Sequence, residues 1–124
     1  MINDEPEVGT LQDFARDVGK ANEKWWVDPH TGQPKDRNIG EMLMLVTSEL
    51  AEALEGDRKS LMDDKLPQYP MFSVEIVDAM IRLFDIAHHL IPNLDEIFWA
   101  KMHFNSQRPD HKLENRVKEG GKKY

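Results

Sequence analysis

Met71-Phe72-Ser73-Val74-Glu75-Ile76-Val77-Asp78-Ala79-Met80-Ile81-Arg82-Leu83-Phe84-Asp85-Ile86-Ala87-His88-His89-Leu90 is the most apolar stretch of the chain, and its charges are not scattered. Wound as a helix at about 100° per residue, Glu75, Asp78, Arg82, Asp85 and His89 fall within an arc of about 80°. Val, Ile, Met, Leu, Phe and Ala fill most of the remaining circumference, with His88 the main exception. A surface helix shows water a much wider polar face than this, so a helix greasy on most sides is largely buried. Buried charge is costly unless it is paired or binds a metal, so the narrow strip is expected to face a polar cavity.

Working outward, proline and glycine divide the rest into three more helical stretches and no alternating strand. Upstream, Asn38 with Glu41 reads as a helix cap. The stripe Ile39, Met42, Leu43, Val46, Leu50, Ala53 and Leu54 follows, and Gly56 is expected to end it. Earlier still, Thr10 caps a helix over residues 10–26 whose apolar face is Leu11, Phe14, Val18, Ala21 and Trp25. Residues 27–37 and 57–70 read as loops. Downstream, Pro92 stops the apolar helix, and Asn93 with Glu96 opens a fourth that runs to about Gln107. The expectation is an all-α, four-helix bundle-like single domain over residues 1–124, with 110–124 an irregular basic tail, and a core possible to share with a second subunit.

The composition restricts function. Of 124 residues, 23 are acidic and 16 basic, for a formal charge of −7. That excess argues against polymeric nucleic acid and anionic lipid as partners, since a basic patch supplies most of that attraction. The chain has no cysteine, which excludes disulfides, zinc–thiolate sites and thiol catalysis and is compatible with a reducing cytoplasm. The opening Met1-Ile2-Asn3-Asp4-Glu5 is acidic and polar, unlike a signal peptide. No apolar run approaches the roughly 20 residues that span a bilayer.

The chemistry concentrates in acids. Glu49-Leu50-Ala51-Glu52 on the second helix and Glu75-Ile76-Val77-Asp78 on the third each set two carboxylates three residues apart, on one side of a helix. Four such oxygen donors brought together suit a hard divalent cation, Mg²⁺ or alternatively Mn²⁺. Glu49 lies at the edge of the apolar stripe and is the one expected to point inward; Glu52 lies further round. The bland reading has Arg82 neutralising Asp78 and Asp85 in a salt-bridge ladder. On the fourth helix Lys101, Asn105 and Arg108 share a face that suits phosphate binding, the alternative being a solvated charged face. Near the end of the first helix, Trp25 continues the core stripe. Trp26, one turn after Asn22, is the expected stacking platform for a planar ligand. His30, His103 and His111 read as surface residues, and His89 as a partner that orients a carboxylate on the strip.

The ordered pair Glu49-x-x-Glu52 and Glu75-x-x-Asp78, with twenty-two residues between, resembles the signature of the MazG-like all-α nucleoside triphosphate pyrophosphohydrolases. The stretch Lys101-Met102-His103-Phe104-Asn105-Ser106-Gln107-Arg108 is similar to that superfamily's substrate-contacting segment. Residues 22–26 and the closing Gly120-Gly121-Lys122-Lys123-Tyr124 look like elements of a phage and bacterial subgroup. The resemblance implies Mg²⁺-dependent hydrolysis of a (d)NTP to its monophosphate and pyrophosphate by a homodimer or dimer of dimers, in the cytoplasm of a bacterium or of a phage-infected cell. Glu49, Glu52, Glu75 and Asp78 are the expected metal ligands, and Glu49, as the carboxylate least committed to metal, is the expected general base. The expected substrate contacts are Asn22, Trp26, Arg82, Lys101, Asn105 and Arg108. The chain departs from one superfamily branch in carrying Arg82, where that branch has an aromatic residue, so no base preference is carried over. The alternatives are a non-catalytic nucleotide sensor and a helical interaction module.

Overall fold

The computed structural model describes residues 9–123; the opening acidic segment 1–5 and Tyr124 of the closing stretch lie outside the described residues. The protein is all-α, with four main helices: α1 (Leu11–Ala21), α2 (Ile39–Arg58), α3 (Met71–Leu90) and α4 (Leu94–Gln107). A single-turn helix α5 (Leu113–Arg116) follows. Among the described residues, extended pairing is limited to two isolated bridges, Val27 with Pro34 and Met62 with Pro70. No described helix is long and apolar enough to cross a membrane. The chain forms two compact units, one ending at Pro92 and the other beginning at Asn93.

In the first unit α3 is the centre, with α2 packed along one side and α1 along another. α1 begins with a full capping box, in which the Thr10 hydroxyl accepts from Asp13 N–H and the Asp13 carboxylate accepts from Thr10 N–H. It ends earlier than its periodicity implies. Asn22 leaves helical geometry, and Glu23–Trp26 form a 3₁₀ turn, whose tighter winding re-aims both tryptophans. Asn38 caps α2 by accepting from Glu41 N–H at 2.9 Å.

Gly56 does not stop α2, which runs on to Arg58. Its role is steric: a Cβ there would meet Met71 at 2.9 Å. At Gly19 a Cβ would overlap the His88 ring, so that glycine lets α1 approach α3. The core between the helices is thin. Met42, Val46, Ala79 and Ile86 cluster with Trp26 packed against them, and no large side chain among the described residues is fully buried. In its place two apolar rows are left about half exposed, Ile39, Leu43, Leu50 and Leu54 on α2 and Phe72, Met80, Leu83 and Leu90 on α3.

The second unit holds α4, α5 and a 3₁₀ turn, Pro109–His111. The segment expected to be an irregular tail is therefore partly ordered. Its organiser is Asp110, which accepts from Arg108 Nε at 3.0 Å and Nη2 at 2.7 Å and pairs with Lys122 Nζ at 2.8 Å. These cations hold the Asp110 carboxyl well below the usual carboxylate range, the Lys122 and Arg108 hydrogen bonds contributing most. Arg116 Nε adds a bond to the Asp110 carbonyl at 3.0 Å.

Candidate functional site

The α2–α3 seam brings Glu49, Glu75 and Asp78 together, with one carboxylate oxygen from each lying within 4.8 Å of the others. All three are half-buried. Their periodicity on two packed helices explains the convergence, because positions three apart on α3 and the inward edge of α2 meet across the seam. Glu52, the fourth acid of the sequence quartet, is exposed and outside the group. Its charge still reaches Glu75, though as the weakest of the influences there. The reason is rotational: three residues past Glu49, it lies about 60° further round α2 and away from α3.

The acids press on one another. Glu75 hydrogen-bonds to Glu49, which requires a proton between them, and this contact is the main reason its pKa is raised from 4.5 to about 7. Desolvation and the charges of Glu49, Asp78 and Glu52 push the same way. Asp78 is raised as well, first by burial and then by the charge of Glu49, against opposing help from Glu75 and Arg82. Arg82 makes a 3.0 Å ion pair with Glu49 Oε1. It thus binds across to α2 instead of bridging Asp78 and Asp85 along α3, as the ladder reading expects. A hard, all-oxygen donor set whose members resist ionising side by side fits a divalent cation of the Mg²⁺ or Mn²⁺ type.

Beside the triad opens a cavity of about 740 Å³ lined by residues of the first unit alone. Glu49 of α2 and Asp78, Arg82 and Asp85 of α3 line it, so the middle of the charged strip faces a cavity, while Glu75 and His89 at its ends are not among the lining residues. Asn22, Trp25, Lys35, Asp36, Arg37, Asn38 and Glu41 line it as well, with Met42, Ile81 and Ile86 as apolar lining. Lys35, Arg37 and Asn38 come from the loop and cap before α2, where no periodicity exists to betray an inward side chain. The loop itself is closed by Asp28 N–H to Gln33 carbonyl at 2.8 Å and Lys35 N–H to Trp26 carbonyl at 3.0 Å.

The two tryptophans exchange the places their spacing suggests. Trp25, expected in the core, is 55% exposed and lines the cavity. Trp26, expected to stack on a ligand, stacks instead on His89, with ring centroids 3.9 Å apart. Arg37 lies 5.0 Å from its ring centroid, and its Nε1–H donates to Asp85 Oδ2 at 3.0 Å. The 3₁₀ turn after Asn22 is the cause, because the stripe assignment assumed unbroken α-helical winding. Asn22 itself lines the cavity as expected, and His89 does lie against a strip carboxylate, its Nδ1 3.5 Å from Asp85 Oδ1.

Lys101, Asn105 and Arg108 belong to the second unit. There Arg108 is committed to Asp110, Lys101 Nζ sits 4.9 Å from the Phe104 ring centroid, and Asn105 has a buried Oδ1 with no hydrogen-bond donor. The chain has no match among known protein families, curated proteins or solved structures.

Proposed function

We propose that the protein is a divalent-cation-dependent nucleoside triphosphate pyrophosphohydrolase of MazG-like type, cleaving a (d)NTP to its monophosphate and pyrophosphate. The observation that carries the reading is the Glu49–Glu75–Asp78 triad, two of whose members, Glu49 and Asp78, line a cavity that also holds Lys35, Arg37 and Arg82. A cation held by those three carboxylates, Mg²⁺ or Mn²⁺, would supply charge neutralisation and Lewis-acid polarisation of the phosphates. The chain's own residues account for the rest. Glu49, held in place by its ion pair with Arg82, accepts the proton of the water that attacks the α-phosphorus. The bond from that phosphorus to the α–β bridging oxygen breaks, and pyrophosphate leaves with the bridging oxygen. Arg82 and Lys35 counter charge on the phosphate oxygens at the cavity wall. Trp25, half-exposed beside Asn22, offers the flat apolar surface for the nucleoside that Trp26 does not.

The same reading includes self-association. The exposed rows Ile39, Leu43, Leu50 and Leu54 and Phe72, Met80, Leu83 and Leu90 run along adjacent helices over a core with no fully buried large side chain. A second copy laid on these rows removes apolar surface from water at about 25 cal/mol per Å².

The test is pyrophosphate release from each dNTP and rNTP with Mg²⁺ and with EDTA, alongside light-scattering mass determination. Mg²⁺-dependent release by an oligomer is expected. Nucleotide binding with no release identifies a sensor, and absence of both identifies an interaction module.

A further inference from the structure

Two turns beyond Asp78 on the same face of α3, Asp85 is a carboxylate that the proposed hydrolysis leaves unused. Its side chain is only 8% exposed. Oδ2 accepts from Trp26 Nε1 at 3.0 Å, with Arg37 Nη1 at 3.8 Å, beyond hydrogen-bond reach. Oδ1 is buried with no hydrogen-bond donor. His89 Nδ1 is 3.5 Å from Oδ1 but 3.0 Å from the Asp85 backbone carbonyl. Both neighbours are acceptors, so the ring hydrogen belongs on Nδ1 and goes to the nearer one. A buried carboxylate oxygen without a donor is costly, and it is rare in a finished core.

Asp85 lines the 740 Å³ cavity, whose lining also includes Ile86, Met42 and Trp25, apolar and aromatic surface suited to a flat ring. Seven residues separate Asp85 from Asp78, about 10.5 Å along the helix axis. That exceeds what a pentose alone spans from an α-phosphate and matches the far edge of an attached base. The rotamer of Asp85 is held by the Trp26 bond to Oδ2, which leaves Oδ1 as the oxygen without a donor.

We propose that Asp85 reads the base: its Oδ1 accepts an N–H from the exocyclic amine of adenine, guanine or cytosine and thereby selects against thymine and uracil. This rests on the nucleotide reading of the cavity. Thymine and uracil flank their one edge N–H with two carbonyl oxygens, which face a carboxylate with like partial charge. An ionic hydrogen bond of this kind is worth about ten- to a hundredfold in affinity.

The experiment is calorimetric titration with the α,β-imido analogues of dATP, dGTP, dCTP and dTTP in Mg²⁺. The three amine-bearing analogues are expected to bind about ten- to a hundredfold more tightly than the dTTP analogue. Asp85→Asn places an amide donor at the same spot while its oxygen still accepts from Trp26, so the gap should close or invert in favour of dTTP. Circular dichroism checks that the variant folds, and the wild-type comparison needs no variant. Equal wild-type affinities, an unchanged gap in a folded Asp85→Asn protein, or no binding of any analogue overturns the inference. The expected order without turnover of the natural dNTPs upholds it and defeats the hydrolase reading instead.

Discussion

One face of α3 carries acids at two levels, and the surroundings treat them in opposite ways. At the Asp85 end, protein groups do the work: an indole N–H donates, a guanidinium lies close, and an imidazole packs alongside. At the Glu75 end, acid meets acid, and one arginine, Arg82, reaches Glu49 across the seam. The same chemical group on the same helix is thus locked in place at one end and left in mutual repulsion at the other. A carboxylate whose rotamer an indole N–H fixes can discriminate between ligands, because its geometry does not depend on what binds. Carboxylates that repel each other are destabilising until a cation arrives, and that cost is what a metal relieves on binding.

The largest expected effect breaks the crowded end. Glu75→Gln removes a ligand and a charge but keeps the shape and can still hydrogen-bond Glu49. Turnover should fall by about a hundred- to a thousandfold, while the melting temperature in EDTA should rise, since the repulsion is gone. Pyrophosphate release and thermal denaturation read the two quantities from one preparation. A fall in both would mark Glu75 as a structural residue and sink its role as a ligand.

At the locked end, Trp26→Phe deletes the donor to Asp85 Oδ2 while keeping a ring against His89. Losing a hydrogen bond to a buried carboxylate costs about 2 kcal/mol. Denaturant titration should show that loss with or without Mg²⁺, because this end does not involve the cation. A loss that vanished in Mg²⁺ would show that the two ends are coupled.

A smaller effect follows from the raised acids. Glu75 has its folded pKa lifted from 4.5 to about 7 and Asp78 is lifted too. Their contribution is therefore fully present at low pH and is lost as pH rises from about 4.5 through 7. Without divalent cation, the melting temperature should decline across that window. Mg²⁺ favours the ionised forms, so its stabilisation should be small at pH 5 and larger at pH 8. A scale of about 3–6 °C per kcal/mol suits a chain of this size. Mg²⁺ stabilisation that was equal at both pH values would separate the cation from these two acids.

The sequence makes much of this division legible, and the physical reasons for the gaps are specific. α3 keeps its expected bounds, Met71–Leu90, because prolines stand just outside both ends. Its strip is visible because helical winding sorts residues by angle alone. The α2 terminus is misread since Gly56 signals a stop, whereas the contact with Met71 that makes glycine necessary is tertiary. The tryptophan exchange turns on one residue, Asn22, whose departure from helical geometry changes the winding of the next four. Lys35 and Arg37 sit in a loop, where side-chain direction follows from turn geometry and not from period. Arg108 was legible as a cation but not as the partner of Asp110, two residues on.

The smallest effect tests the boundary of the crowded end. Glu52 shares its motif with Glu49, yet it is exposed and does not join the triad. What it adds is a charge near Glu75, screened by solvent, and exposed charges at such sites are worth at most about 1 kcal/mol. Glu52→Gln should therefore change turnover by no more than about fivefold and relieve a little of the upward pressure on Glu75, shifting the acid limb of the pH–rate profile slightly downward. The comparison with Glu75→Gln is what gives the measurement meaning, since both variants remove one charge from the same acidic patch. If charge near the cavity were all that mattered, the two losses would be alike. A loss at Glu52 equal to that at Glu75 would place the fourth acid among the cation's ligands and erase the division between three converging carboxylates and one that lies apart.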